Sequence, residues 1–129
     1  NRFFRNEGDG TFTEISEKAG VTDAGFGMGV SWGDADGDGR LDLYVSNMYS
    51  TAGNRLLTSK DDGRLHKMAR GNTLLRNGAD LLFEDRTERA GVGRAGWAWG
   101  NVFFDYNADG FPDLYVANGY MTGESDFDL

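Results

Sequence analysis

Apolar residues enter this chain in short alternating bursts. RFFRN and TFTEI flank the glycine-rich EGDG, a pattern that predicts a β-hairpin over residues 1–16. SEKAGV, Ser16 to Val21, predicts a single helical turn capped by Ser16 and closed by Gly20. From Gly25, GFGMGVSWGD sets Phe26, Met28, Val30 and Trp32 at every second position with small residues between, as in a strand approached closely by its neighbours. LDLYVSN, Leu41 to Asn47, predicts a further strand, with Leu41, Leu43 and Val45 on one face and Asp42, Tyr44 and Ser46 on the other. Bulk on both faces predicts a sheet packed between other sheets.

Residues 50–71 break this rhythm, being polar and locally basic, and read as a surface insertion. They hold the single histidine, His66, expected to be a solvated loop residue, and two apolar pairs, Leu56 with Leu57 and Leu65 with Met68, that would anchor the insertion to the body. The first pattern then restarts. Residues 72–120 align with residues 1–49 without a gap, and 21 of the 49 pairs are identical, including Arg76 with Arg5 and Asn77 with Asn6. Chance does not produce such agreement, so the chain is one repeat array: repeat one 1–49, insertion 50–71, repeat two 72–120, tail 121–129. Short strands in repeated units predict a propeller or solenoid. The expected fold is all-β, built of blades of four-stranded antiparallel sheet. One whole blade would be flanked by two complementary half-blades, an outer pair first and an inner pair last, and two blades' worth of strands cannot close a propeller alone.

Composition narrows the function. A net charge of −8 and a pI near 4.5 argue against nucleic acid and against anionic membrane surfaces. With no cysteine there is no disulfide, thiolate zinc site or thiol nucleophile, which leaves metal or association to staple a small chain. No apolar run is long enough for a membrane span. The absence of a signal peptide and of an initiator Met at Asn1 reads as a processed or excised chain. Twenty glycines with one proline indicate many tight turns, and 13% aromatic residues indicate a real core.

The chemistry concentrates in two nonapeptides, DADGDGRLD from Asp34 to Asp42 and DYNADGFPD from Asp105 to Asp113, which hold seven of the 21 acids. Asp34, Asp36, Asp38 and Asp42 offer hard anionic oxygen at positions 1, 3, 5 and 9, Arg40 offers a backbone carbonyl, and Gly39 permits a sharp turn. Asp105, Asn107, Asp109 and Asp113 repeat the spacing. Ca²⁺ suits so crowded an all-protein oxygen set better than Mg²⁺, which keeps several waters. An EF-hand requires Glu at position 12, where this chain has Val45 and Val116 inside strands. Two bound Ca²⁺ ions would return +4 and bring −8 to −4. Asn107 in place of an acid predicts weaker binding at the second loop. Ala108 in place of Gly37 requires that this position not need a positive φ.

The runs NRFFRNEGDGTFTEISEKAGV, WGDADGDGRLDLYVSN and WGNVFFDYNADGFPDLYVANG resemble FG-GAP (VCBS-type) repeats, in the subgroup found in cartilage acidic protein and UnbV-like proteins. The resemblance implies a Ca²⁺-binding β-propeller related to the integrin α-subunit head, with structural metal in a loop between two strands of each blade. Carried over, the ligands are Asp34, Asp36, Asp38, Arg40 by its carbonyl and Asp42, then Asp105, Asn107, Asp109, Phe111 by its carbonyl and Asp113. It also implies an extracellular, cell-surface or periplasmic setting.

Trp32, Trp97, Trp99, Phe103 and Phe104 read as blade core rather than a sugar-stacking surface, because Trp32 and Phe103 are repeat equivalents, as are Phe26 and Trp97. Paired acids can hydrolyse glycosides, but here they are committed to the loops, and no serine motif or zinc signature appears. The expectation is a non-catalytic calcium-binding segment for binding, adhesion or assembly. Its partner would be a protein or glycan, with self-association through paired half-blades or the remainder of a longer propeller completing the sheet. The alternatives are a self-assembling ring or filament subunit and the propeller portion of a carbohydrate-active enzyme or lectin.

Overall fold

In the computed structural model, residues 1–49 and 68–118 are described. His66, Leu56, Leu57, Leu65, most of the insertion and the tail lie outside them. Besides a 3₁₀ turn at Ala79–Leu81, the described residues include eight strands and two single-turn α-helices. These are β1 (Phe4–Asn6), β2 (Phe12–Glu14), α1 (Ser16–Ala19), β3 (Gly27–Gly33), β4 (Asp42–Asn47), β5 (Thr73–Asn77), β6 (Phe83–Asp85), α2 (Thr87–Ala90), β7 (Ala98–Phe104) and β8 (Asp113–Asn118). From β2 onwards each element of the first repeat has a counterpart 71 residues later, as in Phe12–Glu14 against Phe83–Asp85.

The sheets have the expected division. β3-β4-β5-β6 form one four-stranded antiparallel sheet, while β1-β2 and β7-β8 are separate pairs. The described residues are therefore nearly all β, with one whole blade and two half-blades, and no barrel closes among them. β4 is the centre of the stack, and all six of its residues are buried. Leu43 and Val45 join Leu75 with Ala19 and Val21 in a core against the first hairpin, packed further by Phe3, Ile15 and Phe83. Burying each large aliphatic side chain contributes about 1.5–3 kcal/mol. Trp32 completes this face by meeting Phe3 and Phe83 at ring-centroid distances of 5.7 and 6.1 Å.

The opposite face of β4 meets the third sheet. Tyr44 packs edge-on against Phe103 at 6.4 Å and donates a 2.8 Å hydrogen bond to the Val92 carbonyl. Nearer the β3 side the sheets almost touch: a Cβ at Gly29 would lie 3.1 Å from Gly100 Cα and 3.2 Å from the Trp99 carbonyl oxygen.

Three expectations need correction. Leu41 lies before β4 and is exposed, because the loop holds its backbone outside the ladder. Ser16 is not the cap of α1; Ile15 holds that position, and the Ser16 hydroxyl instead accepts a 2.6 Å bond from the Phe3 amide. Thr87 does the same for Leu74 at 2.8 Å, so the hydroxyl ties each helical turn back to the first strand of its hairpin. Finally, Trp99 and Phe104 are not core, since both are nearly half exposed, and Phe26 and Trp32 are exposed as well, Trp32 covering the core rings from the outside. Val102, paired with Tyr115 in the ladder, is exposed with it on the outer side of β7-β8.

Candidate metal centre

The loop between β3 and β4 is organised by its own carboxylates. Asp34 accepts hydrogen bonds from the amides of Asp38 at 3.0 Å and Gly39 at 2.8 Å, which curl the backbone around the side chain. Asp38 accepts from the Arg40 amide at 3.0 Å. Asp42 closes the loop, with one oxygen 3.0 Å from the Ala35 amide and the other 2.7 Å from the Asn77 amide on β5. One oxygen each from Asp34, Asp36 and Asp42 lies within 4.8 Å of the others. Asp42 is almost fully buried, and burial, reinforced by Asp36 and Asp38 nearby, raises its pKa. A buried carboxylate beside two others is a position where a cation relieves both desolvation and repulsion.

A side chain from another strand already supplies positive charge there. Arg76 on β5 pairs through Nε with Asp36 and, at 2.6 Å, with Asp38. Its hydrogen bond to Asp36 holds that carboxyl below its usual range and raises the pKa of the guanidinium in return. Asp38, also paired with Arg40, is thereby drawn to the guanidiniums and lies outside the three-carboxylate group. Asn77 adds a second tie: its side-chain NH₂ donates to the Leu41 carbonyl at 3.1 Å, and its own carbonyl accepts from Arg40 Nε at 3.0 Å. Its amide oxygen is buried without a hydrogen-bond partner. The loop borders an open groove of about 480 Å³ whose lining includes Leu74, Arg76, Arg86 and Arg89.

The second loop repeats the internal bonds. Asp105 accepts from the Asp109 amide at 3.1 Å and the Gly110 amide at 2.8 Å, Asp109 accepts from Phe111 at 2.9 Å, and Asp113 accepts from Tyr106 at 3.3 Å. The bond from Phe111 leads those that lower the pKa of Asp109. Asn107 donates its amide to Asp109 at 2.8 Å. Among the described residues no strand flanks β8 as β5 flanks β4, and the carboxylates of Asp105, Asp109 and Asp113 form no close group. Ala108 corrects the requirement set for it: Gly37 has φ 74°, and Ala108 follows it into the left-handed region at 58°.

Arg76 and Asn77 are the site residues that the nonapeptides alone do not reveal. Their signal was present, because Arg-Asn is identical in both repeats. On β1 the same dipeptide finds other partners, Arg5 with Glu7 at 2.9 Å and Asn6 with the Gly8 amide at 2.8 Å.

Compared with known proteins, residues 1–45 match the FG-GAP-like repeat family and residues 26–66 match the FG-GAP repeat family. The second match runs through much of the stretch that the internal repeat leaves out. No curated protein and no solved structure matches the chain. FG-GAP repeats imply a β-propeller-like repeat module, in keeping with the blades described above.

Proposed function

We propose that this array of FG-GAP repeats is a non-catalytic, calcium-stabilised propeller segment used in extracellular, cell-surface or periplasmic binding, adhesion or assembly. The observation that carries it is the convergence of Asp34, Asp36 and Asp42 where β3, β4 and β5 meet. All donors are hard oxygens, and an arginine stands in for a cation beside them. Asp34, Asp36 and Asp42 would hold the first ion, with Asp38 and the Arg40 carbonyl completing the set. At the second loop the donors would be Asp105, Asn107, Asp109, Asp113 and the Phe111 carbonyl. Bound calcium supplies charge neutralisation and a cross-link among strands, and contributes to folding through linkage to its concentration. The subgroup of cartilage acidic protein and UnbV-like proteins belongs to the same reading and rests on the runs quoted for it.

Thermal unfolding of the full chain in millimolar Ca²⁺ and in chelator tests this. A tenfold excess over Kd stabilises by about 1.4 kcal/mol, which raises Tm by roughly 4–8 °C for a domain of this size. Asp34→Ala should shrink that calcium-dependent difference. Identical melts with and without chelator would sink the reading.

A second reading, assembly through complementary half-blades, is favoured by one observation: β1-β2 and β7-β8 are each two-stranded, with Phe4 and Tyr115 exposed. Strand addition at such edges can join copies. Native mass measurement supports it if a discrete or open-ended oligomer survives dilution, and a monomer at all concentrations rejects it.

A further inference from the structure

We infer that Arg76 is a tethered counter-cation that competes with calcium for the first acidic loop and so sets its affinity. This rests on the calcium reading above. Arg76 stands on β5, a different segment from the loop it neutralises, and its guanidinium engages two of the four carboxylates at once, Asp36 through Nε and Asp38 at 2.6 Å. Asp36 is one of the three acids whose oxygens converge, and Asp38 is the acid that does not join them. The guanidinium therefore grips one member of the converging group and withholds a fourth carboxylate from it. An incoming divalent ion must take Asp38 away from Arg76 to gain the full carboxylate set, and the fixed positive charge beside Asp36 opposes it throughout.

The same contact gives Arg76 a second effect. Without metal, four carboxylates in nine residues repel one another, and the guanidinium relieves that repulsion while pinning the loop to β5. The empty loop is stabilised and the filled loop is not, which is the definition of a competitor built into the chain. The second loop has no such residue among those described, so the charge advantage of four acids over three at the first loop is partly cancelled by Arg76.

Calcium titration calorimetry on the full chain carrying Asp105→Ala and Asp109→Ala isolates the first loop. Adding Arg76→Gln to that protein should tighten calcium binding about tenfold, the size of effect expected from losing a partly buried, charge-assisted pair. It should also lower the melting temperature in chelator while enlarging the rise produced by calcium. Arg76→Lys, which keeps the charge but not the two-pronged geometry, should fall between the two. Binding by the Gln protein alone would also support the inference. Equal or weaker binding by the Gln protein would overturn the role of Arg76 and leave the calcium reading standing; no binding by either protein would overturn both.

Discussion

The backbone amide of Asn77 donates a 2.7 Å hydrogen bond to the side chain of Asp42. The β4-β5 ladder has its last paired residues at Leu43 and Leu75, so this carboxylate extends the pairing beyond the point where main-chain bonds stop. It does so from a buried position, where an unpaired amide is costly.

Asp42→Asn should therefore be destructive despite its near-identical shape. Both carboxylate oxygens accept amide hydrogens, from Ala35 and Asn77, and an amide side chain must turn its NH₂ towards one of those donors. We expect a loss of about 2–4 kcal/mol in urea unfolding in the presence of chelator, where metal plays no part. A loss under 0.5 kcal/mol would contradict the structural role.

Ala108 lies at φ 58° where its repeat equivalent is glycine, and no atom crowds the Gly37 position within 4 Å. The penalty is thus conformational. Ala108→Gly should stabilise the chain by about 0.5–1 kcal/mol, and Gly37→Ala should destabilise it by a similar amount, read from paired denaturant midpoints. Opposite signs would show that the unfolded-state entropy of glycine outweighs the left-handed strain.

At the far end of the blade, Asn72 accepts a 2.8 Å bond from the Asn47 amide, and both side chains are buried. Asn47 also reaches Asp23 at 2.8 Å and the Gly71 carbonyl at 3.0 Å. Asn72→Ala leaves the Asn47 amide without its acceptor, and should cost about 2 kcal/mol with faster amide exchange at Asn47.

Burial pushes the Tyr44 phenol up from 10 to about 12. An acid whose folded pKa is raised keeps its full contribution below the unfolded value and loses it as pH rises through the folded one. Stability should therefore fall between about pH 10 and pH 12, by roughly 2.7 kcal/mol for two pKa units. Tyr44→Phe should remove this tyrosine's share of the alkaline decline, at a cost of about 1 kcal/mol at neutral pH for the bond to Val92. An unchanged alkaline slope in the variant would refute the assignment.

The strand alternation, the 71-residue recurrence and the whole-blade division were legible because each depends on local periodicity or on comparing the chain with itself. The acidic loops were legible as turns because the spacing of their carboxylates is a property of nine consecutive residues. What stayed hidden were relations between strands. Arg76 points at Asp36 across a ladder, Ser16 bonds Phe3 instead of capping its own helix, and Trp99 and Phe104 resemble core residues until the sheet beside them is drawn. Ala108 shows a further limit: a glycine replaced by alanine suggests a relaxed backbone, whereas the loop's hydrogen bonds impose the left-handed conformation on either residue.

Gly29 sets how closely β3 can approach β7. At Gly29 itself the sheets are kept apart by little more than backbone, whereas further along the same line Ser31 meets Asn101 and Gly33 faces the Phe103 ring, and one strand further out the rings of Tyr44 and Phe103 have centroids 6.4 Å apart. The two sheets therefore come closest at Gly29 and stand further apart where the rings of Tyr44 and Phe103 fill the gap. A methyl group at Gly29 would push the two sheets apart at the point where they meet backbone to backbone, so this glycine acts as a spacer of zero thickness.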